Sequence, residues 1–199
     1  MKTLSEEYCV VCGKESENGI THSRCRSSGT PSQLYSAFEY TSLVRAVIKR
    51  SKYKSKEFLG LKIITELAAE LCKEELSKFT SYVVIPIPVS AIRLKDRGFN
   101  QVETIVKVIS KRNGNKVKLG LLKRITDSIA QYSNTRKERF ANVSGVFEVE
   151  KSQKNLVADQ KFLLVDDICT SGATLLEASK VLYKYGAKDV KCFALSKKL

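Results

Sequence analysis

Two kinds of apolar spacing alternate along this chain. Phe162-Leu-Leu-Val165 is a short unbroken apolar run, which suits a strand buried on both faces of a parallel sheet. Ser81-Tyr-Val-Val-Ile-Pro-Ile-Pro88 is a second such run. Pro86 and Pro88 place its end there, because proline has no N–H to give to a central ladder. Asp189 to Leu195 supplies a third strand, and Val117 to Leu122 and Val146 to Val149 two shorter ones. Between these runs the spacing changes to three and four. Leu43, Val47 and Ile48 predict one helix, and Leu61, Ile64, Ala68, Leu71 and Cys72 mark a face of a longer one from Glu57 to Lys78. Another runs from the Arg97 loop to about Lys111, and the last spans Leu175 to Leu182 before Gly186 stops it. Strands alternating with helices predict an α/β fold: a parallel sheet covered on both faces, with any ligand at the carboxyl ends of the strands.

Two stretches fall outside this alternation. Residues 26–36 are rich in small and turn-forming types and read as a linker. Thr126 to Ser144 is long and polar, holding Gln131, Arg136, Lys137, Arg139 and Asn142, and reads as a lid or a disordered connection, a lid being what a transferase would need to exclude water.

A length of 199 residues with 43% hydrophobic content suits one ordinary domain with a small appendage. No apolar run approaches the ~18 residues of a membrane span, and the N-terminus lacks an apolar signal segment. The expectation is no membrane insertion and a cytoplasmic location, where six cysteines read as ligands or buried thiols rather than disulfides. A net charge of +14 fits nucleic acid or a polyanionic metabolite as partner. The charge gathers in two clusters, Arg45, Lys49, Arg50, Lys52, Lys54 and Lys56, then Lys107, Lys111, Arg112, Lys116, Lys118, Lys123 and Arg124. Either cluster is a solvated helix face or a nucleic-acid surface.

The chemistry concentrates where Val165 ends. Asp166 and Asp167 stand at the mouth of the strand, followed by Thr170-Ser171-Gly172-Ala173-Thr174 and then the last helix. A tight small-residue turn at a helix N-terminus aims backbone N–H groups at an anion, and Gly172 allows close approach and positive φ. The two carboxylates cannot bind that anion, so they suit vicinal hydroxyls or hydrated Mg2+ on the same ligand. A phosphate at one end and a diol at the other describe a ribose 5-phosphate. Arg97-Gly98-Phe99-Asn100-Gln101, between strand and helix, offers a second basic cradle, with Arg97 able to grip phosphate oxygens in fork geometry. Near the start, Cys9-x2-Cys12 and His22-x2-Cys25 make two chelating pairs with four soft or borderline donors, a set that tetrahedral structural Zn2+ prefers.

The Asp166-to-Thr174 segment resembles the phosphoribosyl-pyrophosphate (PRPP) motif of type I phosphoribosyltransferases. That resemblance implies that Asp166 and Asp167 hold the ribose hydroxyls as the candidate catalytic acids, and that Thr170, Ser171, Gly172, Ala173 and Thr174 wrap the 5-phosphate. The wider order resembles the ComF (ComFC) family: the paired-ligand N-terminus, Pro86-Ile-Pro88, Arg97-Gly-Phe-Asn-Gln101, Gln131, Arg139-x2-Asn142-x2-Gly145-x-Phe147, then the acidic pair. His22 stands where that family usually has cysteine. The resemblance implies a zinc-bearing element at 1–30 on a type I phosphoribosyltransferase-like domain at 31–199, linked to natural competence and the DNA-uptake machinery. In one class of function the protein is a transferase: Arg97, Gly98, Asn100 and Gln101 with Mg2+ hold pyrophosphate while an Arg136/Arg139 lid closes. In the other, PRPP or a nucleotide is sensed without reaction, and the basic surface with the zinc element binds single-stranded DNA, Tyr53 and Phe99 being candidates for base stacking.

Overall fold

The computed structural model describes residues 7–53, 58–126 and 135–199. In chain order the main elements are strand β1 (Gln33–Glu39), helices α1 (Ser42–Tyr53), α2 (Phe58–Leu71) and α3 (Lys73–Ser77), and strand β2 (Val83–Pro86). Helices α4 (Ala91–Arg97) and α5 (Gln101–Asn113), strand β3 (Leu122–Arg124), helix α6 (Arg136–Val143) and strand β4 (Phe147–Val149) follow. Strand β5 (Lys161–Cys169), helix α7 (Ala173–Lys184) and strand β6 (Asp189–Lys197) complete the order.

Among the described residues β1, β6, β5 and β2 form one sheet in that order, every pair parallel. The unbroken apolar run of β5 is explained by its place inside this sheet. Phe162 and Leu164 enter a core with Leu175, Leu176 and Leu182 of α7 and with the small β3–β4 ribbon. Leu163 and Val165 enter the opposite core, with Val44 and Ile48 of α1, Leu61 and Ile64 of α2 and Ile105 of α5. All four side chains are buried, and burial of each stabilises by ~1.5–3 kcal/mol relative to exposure.

The sequence expectations need four corrections. The stretch read as a linker contains β1 from Gln33 onward, with Leu34 and Phe38 buried against the sheet. Its small polar neighbours hid a strand that β6 holds in register. The long helix predicted to Lys78 breaks at Cys72, and α3 starts anew there; Cys72 is the buried thiol expected. Val117 makes only a bridge to Val84, and the strand lies later, β3 pairing antiparallel with β4. Within the polar stretch, Thr135 opens α6 with a capping box, its hydroxyl accepting from the Glu138 N–H while Glu138 accepts from the Thr135 N–H. Gln131 lies outside the described residues. No described helix is long and apolar enough to cross a membrane.

Candidate functional site

Alternation along β5 sends the two acids to different neighbours. Asp166 lines a cavity of about 20 Å3 with Cys169, Thr170, Gly172, Ala173 and Thr174, the room of about one water. Its carboxylate accepts the Asp167 N–H at 2.8 Å. Burial first, then the charge of Asp167, pushes the Asp166 carboxyl up to about 8, while Lys52 pulls the other way. Asp167 is buried and faces α1 and α5. Its Oδ2 accepts Lys52 Nζ at 2.8 Å and Gln101 Nε2 at 2.9 Å. Both donors converge on that one oxygen, and the Gln101 Oε1 is buried without a hydrogen-bond partner.

Lys52 is the residue at the acidic pair that sequence reasoning missed. It sits in a run of basic residues at the end of α1, where composition points to a solvated or DNA-facing surface. The long-range packing of α1 beneath the β5 mouth brings its ammonium to Asp167, and no local pattern announces that.

The residues of the basic loop are arranged differently from a simple cradle. Arg97 closes the short helix α4, and Gly98 caps it in the left-handed region at φ 77°. The Asn100 side chain is committed to the corner, its Nδ2 donating to the Ile87 carbonyl at 2.9 Å and its Oδ1 accepting the Val102 N–H at 3.1 Å. Gln101 is the loop residue carried to the acids. Phe99 packs edge-on against Phe58, ring centroids 4.2 Å apart, so it belongs to a packed pair; the Tyr53 side chain lies outside the described residues.

The small-residue turn crosses from β5 to α7. Gly172 stands at the N-cap of α7 at φ 81°, and a β-carbon there would overlap the Val10 carbonyl oxygen. Gly172→Ala should therefore cost at least about 2 kcal/mol, combining left-handed strain with the overlap; urea denaturation reads this as a lowered midpoint at constant slope. Beyond Thr170 and Ser171 opens a cleft of about 430 Å3, walled also by Tyr8, Arg136, Arg139 and Lys197. Lys197 Nζ donates to the Thr170 carbonyl at 3.4 Å. Cys169, whose place beside the turn reads from sequence as a thiol that could be exposed, is instead buried as the last residue of β5, and burial pushes it up to about 11 against the pull of Lys197.

Cys9, Cys12, His22 and Cys25 come together with donor atoms all within 4.8 Å of one another, a cluster that could hold a metal ion. The donors fit such an ion. His22 Nε2 meets the Glu15 carbonyl at 3.0 Å, which can only accept, so the proton sits on Nε2 and Nδ1 turns its lone pair to the cysteines, 3.4 Å from Cys12 Sγ. Burial raises the Cys9 thiol, but N–H groups of Cys12, His22 and Val11 outweigh it and hold the thiol below its ordinary value. Gly13, at φ 72°, closes the turn with its N–H on the Cys9 carbonyl.

The acids lie inside β5 and not at its mouth, because pairing with β6 carries the strand on to Cys169. A parallel α/β sheet with an acidic pair just before a small-residue turn marks a phosphoribosyltransferase-type domain, and the phosphoribosyl transferase domain family matches residues 55–199. The chain is 32% identical over 195 residues to competence protein ComFC of Streptococcus pneumoniae, covering 96% of this chain and 81% of that protein. It is 26% identical over 194 residues to competence protein F of Haemophilus influenzae, covering 96% and 84%. With DNA utilization protein YhgH of Salmonella typhimurium it shares 22% over 195 residues, covering 96% and 84%. The chain belongs to the ComFC family, with a phosphoribosyl transferase domain.

Proposed function

We propose that this protein binds PRPP, or a related ribose 5-phosphate, with Mg2+ at the mouth of β5, and acts as a phosphoribosyltransferase-like component of DNA uptake. The observation that carries this is the junction itself: two acids, then Thr170 to Thr174 at the head of α7, with Gln101 and Lys52 gathered on Asp167. Main-chain N–H groups of the turn take the 5-phosphate from the cleft side. The diol donates to Asp166 and to the Oδ1 of Asp167, and Arg97, Gly98, Asn100 and Gln101 form the corner that faces pyrophosphate. Mg2+, when bound, neutralises the pyrophosphate. Displacement at C1 then needs positioning and charge stabilisation, and no covalent enzyme group. Residues 1–30 form a structural zinc element and 31–199 the transferase-like domain, in a cytoplasmic protein. The relatives named for competence and DNA utilization support the DNA-uptake context. Calorimetric titration with PRPP and Mg2+, followed by a pyrophosphate-release assay across nucleobase and amine acceptors, tests this. Binding with release supports transfer; no binding of PRPP refutes the site.

A second function is favoured by a separate observation: Arg136, Arg139 and Lys197 share one cleft beside the cysteine cluster, in a chain of charge +14. Single-stranded DNA bound there would weaken steeply with salt. Binding that survives Asp166→Ala with Asp167→Ala, in protein that releases no pyrophosphate, would identify a non-catalytic sensing module.

Asp166 gives the site a pH signature. Burial and the neighbouring Asp167 charge make this carboxyl hold its proton to higher pH than a free carboxylate, while a bound Mg2+ or a pair of diol donors favours its ionised form. Ligand binding at pH 7 should then release up to one proton, seen as a dependence of the binding enthalpy on the buffer's ionisation enthalpy. Free-protein stability should show the matching sign. The unfolded chain ionises Asp166 near pH ~4, so its contribution is full below that and is lost as pH rises through about 8. Asp166→Asn should remove both effects.

A further inference from the structure

The cysteine cluster and the proposed phosphate turn lie far apart in sequence, yet Val10 packs against Gly172 of the turn, and Tyr8, Cys12 and Gly13 share a cleft with Thr170 and Ser171. Val10, between two of the metal-binding cysteines, is buried in the same core as Cys169, Leu175 and Leu176. Its carbonyl lies so close to Gly172 that no side chain fits there. Arg136 donates to the carbonyls of Val11 and of Cys12, the latter at 2.8 Å, tying the knuckle to α6. Lys197 lies over the Tyr8 ring, 5.5 Å from its centroid, while its ammonium donates to the Thr170 carbonyl. Tyr8, Cys12 and Gly13 accordingly form one wall of the cleft and Thr170 and Ser171 another.

We propose that the metal knuckle is the back wall of the phosphate turn, so that metal occupancy sets the affinity of residues 170–174 for a ribose phosphate. This rests on the phosphate-site proposal above and adds its control. A loop from Cys9 to Cys25 has little core of its own, so a bound metal supplies most of the energy that shapes it. When the metal leaves, residues 8–13 lose the cross-link that presents Val10, and the left-handed Gly172 loses the carbonyl packed against it. Arg136 loses its two acceptors, and the cleft opens. A ligand must then order the turn before using it, and that ordering subtracts from affinity. Binding free energies couple reciprocally, so a ligand in the turn must also hold the metal in the knuckle.

The test uses the full chain loaded with zinc, with ribose 5-phosphate as probe. In the first arm, equilibrium competition with a zinc-binding dye is run with and without saturating ribose 5-phosphate. The sugar phosphate is expected to raise apparent zinc affinity at least 10-fold. In the second, calorimetry compares loaded, chelator-stripped and zinc-reconstituted protein, with circular dichroism to confirm that the sheet remains. Stripping is expected to weaken ribose 5-phosphate at least 10-fold and zinc to restore it. Arg136→Ala, with zinc retained, should weaken the sugar phosphate about 3-fold, which covers the case in which stripped protein unfolds. If loaded protein binds ribose 5-phosphate while zinc affinity is indifferent to it, the coupling is overturned and the phosphate site stands. If loaded protein binds no ribose 5-phosphate, the phosphate site falls and the coupling with it.

Discussion

Replacing both acids, Asp166→Ala with Asp167→Ala, should weaken PRPP binding at least 100-fold while the fold persists. Two charge-assisted hydrogen bonds to a diol are worth ~1.5–3 kcal/mol each, and each ~1.4 kcal/mol is tenfold in affinity. The fold tolerates the change for identifiable reasons. Asp166 already resists ionising in the free protein, so its loss removes a group that the surroundings disfavour as an anion. Asp167 leaves behind Lys52, whose side chain is 22% exposed and sits on the final turn of α1, where it can extend into water. The cost falls mainly on the Gln101 amide, left without its acceptor at ~1–3 kcal/mol. Isothermal titration gives the affinity and circular dichroism the fold. Asp166→Asn with Asp167→Asn separates charge from shape. It should also lose binding, with less effect on stability, because the amide oxygen that takes the place of the Asp167 carboxylate still accepts from Gln101.

The second large effect concerns the cysteine cluster. Purified without chelator, the protein should carry one zinc per chain, and Cys9→Ser with Cys12→Ser should carry none. Removing two thiolates breaks one of the two chelating pairs and leaves His22 and Cys25 alone, too few for a closed tetrahedral site. Zinc binding in small finger peptides is worth ~10–16 kcal/mol at neutral pH, so its loss should unfold the knuckle locally. Atomic emission measures the metal, and hydrogen exchange should show lost protection over residues 8–25 with β2 and β5 unchanged. His22→Cys should keep the metal, since it restores the all-cysteine set usual in the family. Absence of zinc from the unaltered protein would refute the assignment.

How much of this was legible in the sequence depends on how local each feature is. The junction proposed as the phosphate site was readable as a local arrangement because strand, acids, small residues and helix follow one another without a break, and a turn of this kind is made by consecutive residues. The Cys/His cluster that could hold a metal was readable for the same reason, as two pairs of donors at chelating spacing. What could not be read is whatever depends on which elements meet. Lys52 and Asp167 lie far apart in the sequence, and only the packing of α1 under β5 joins them. Arg136 looked like a lid residue, and the structure shows it bound to the carbonyls of a knuckle near the start of the chain. Strand β1 was hidden because Ser32 and Ser36 flank and interrupt its apolar residues, and its place is fixed by pairing with β6. Helix α6 had a local signal, Thr135-x2-Glu138, that the polar composition around it obscured.

The proposed function depends throughout on a sugar phosphate docking where the fifth strand hands over to the final helix. A crystal structure with PRPP and magnesium measures that directly. The 5-phosphate should lie within hydrogen-bond distance of the 170–174 amides, the ribose hydroxyls on Asp166 and Asp167, with Lys52 moved or sharing its oxygen. Density for the ligand elsewhere on the molecule, with the Lys52–Asp167 pair and the turn undisturbed, would contradict the account.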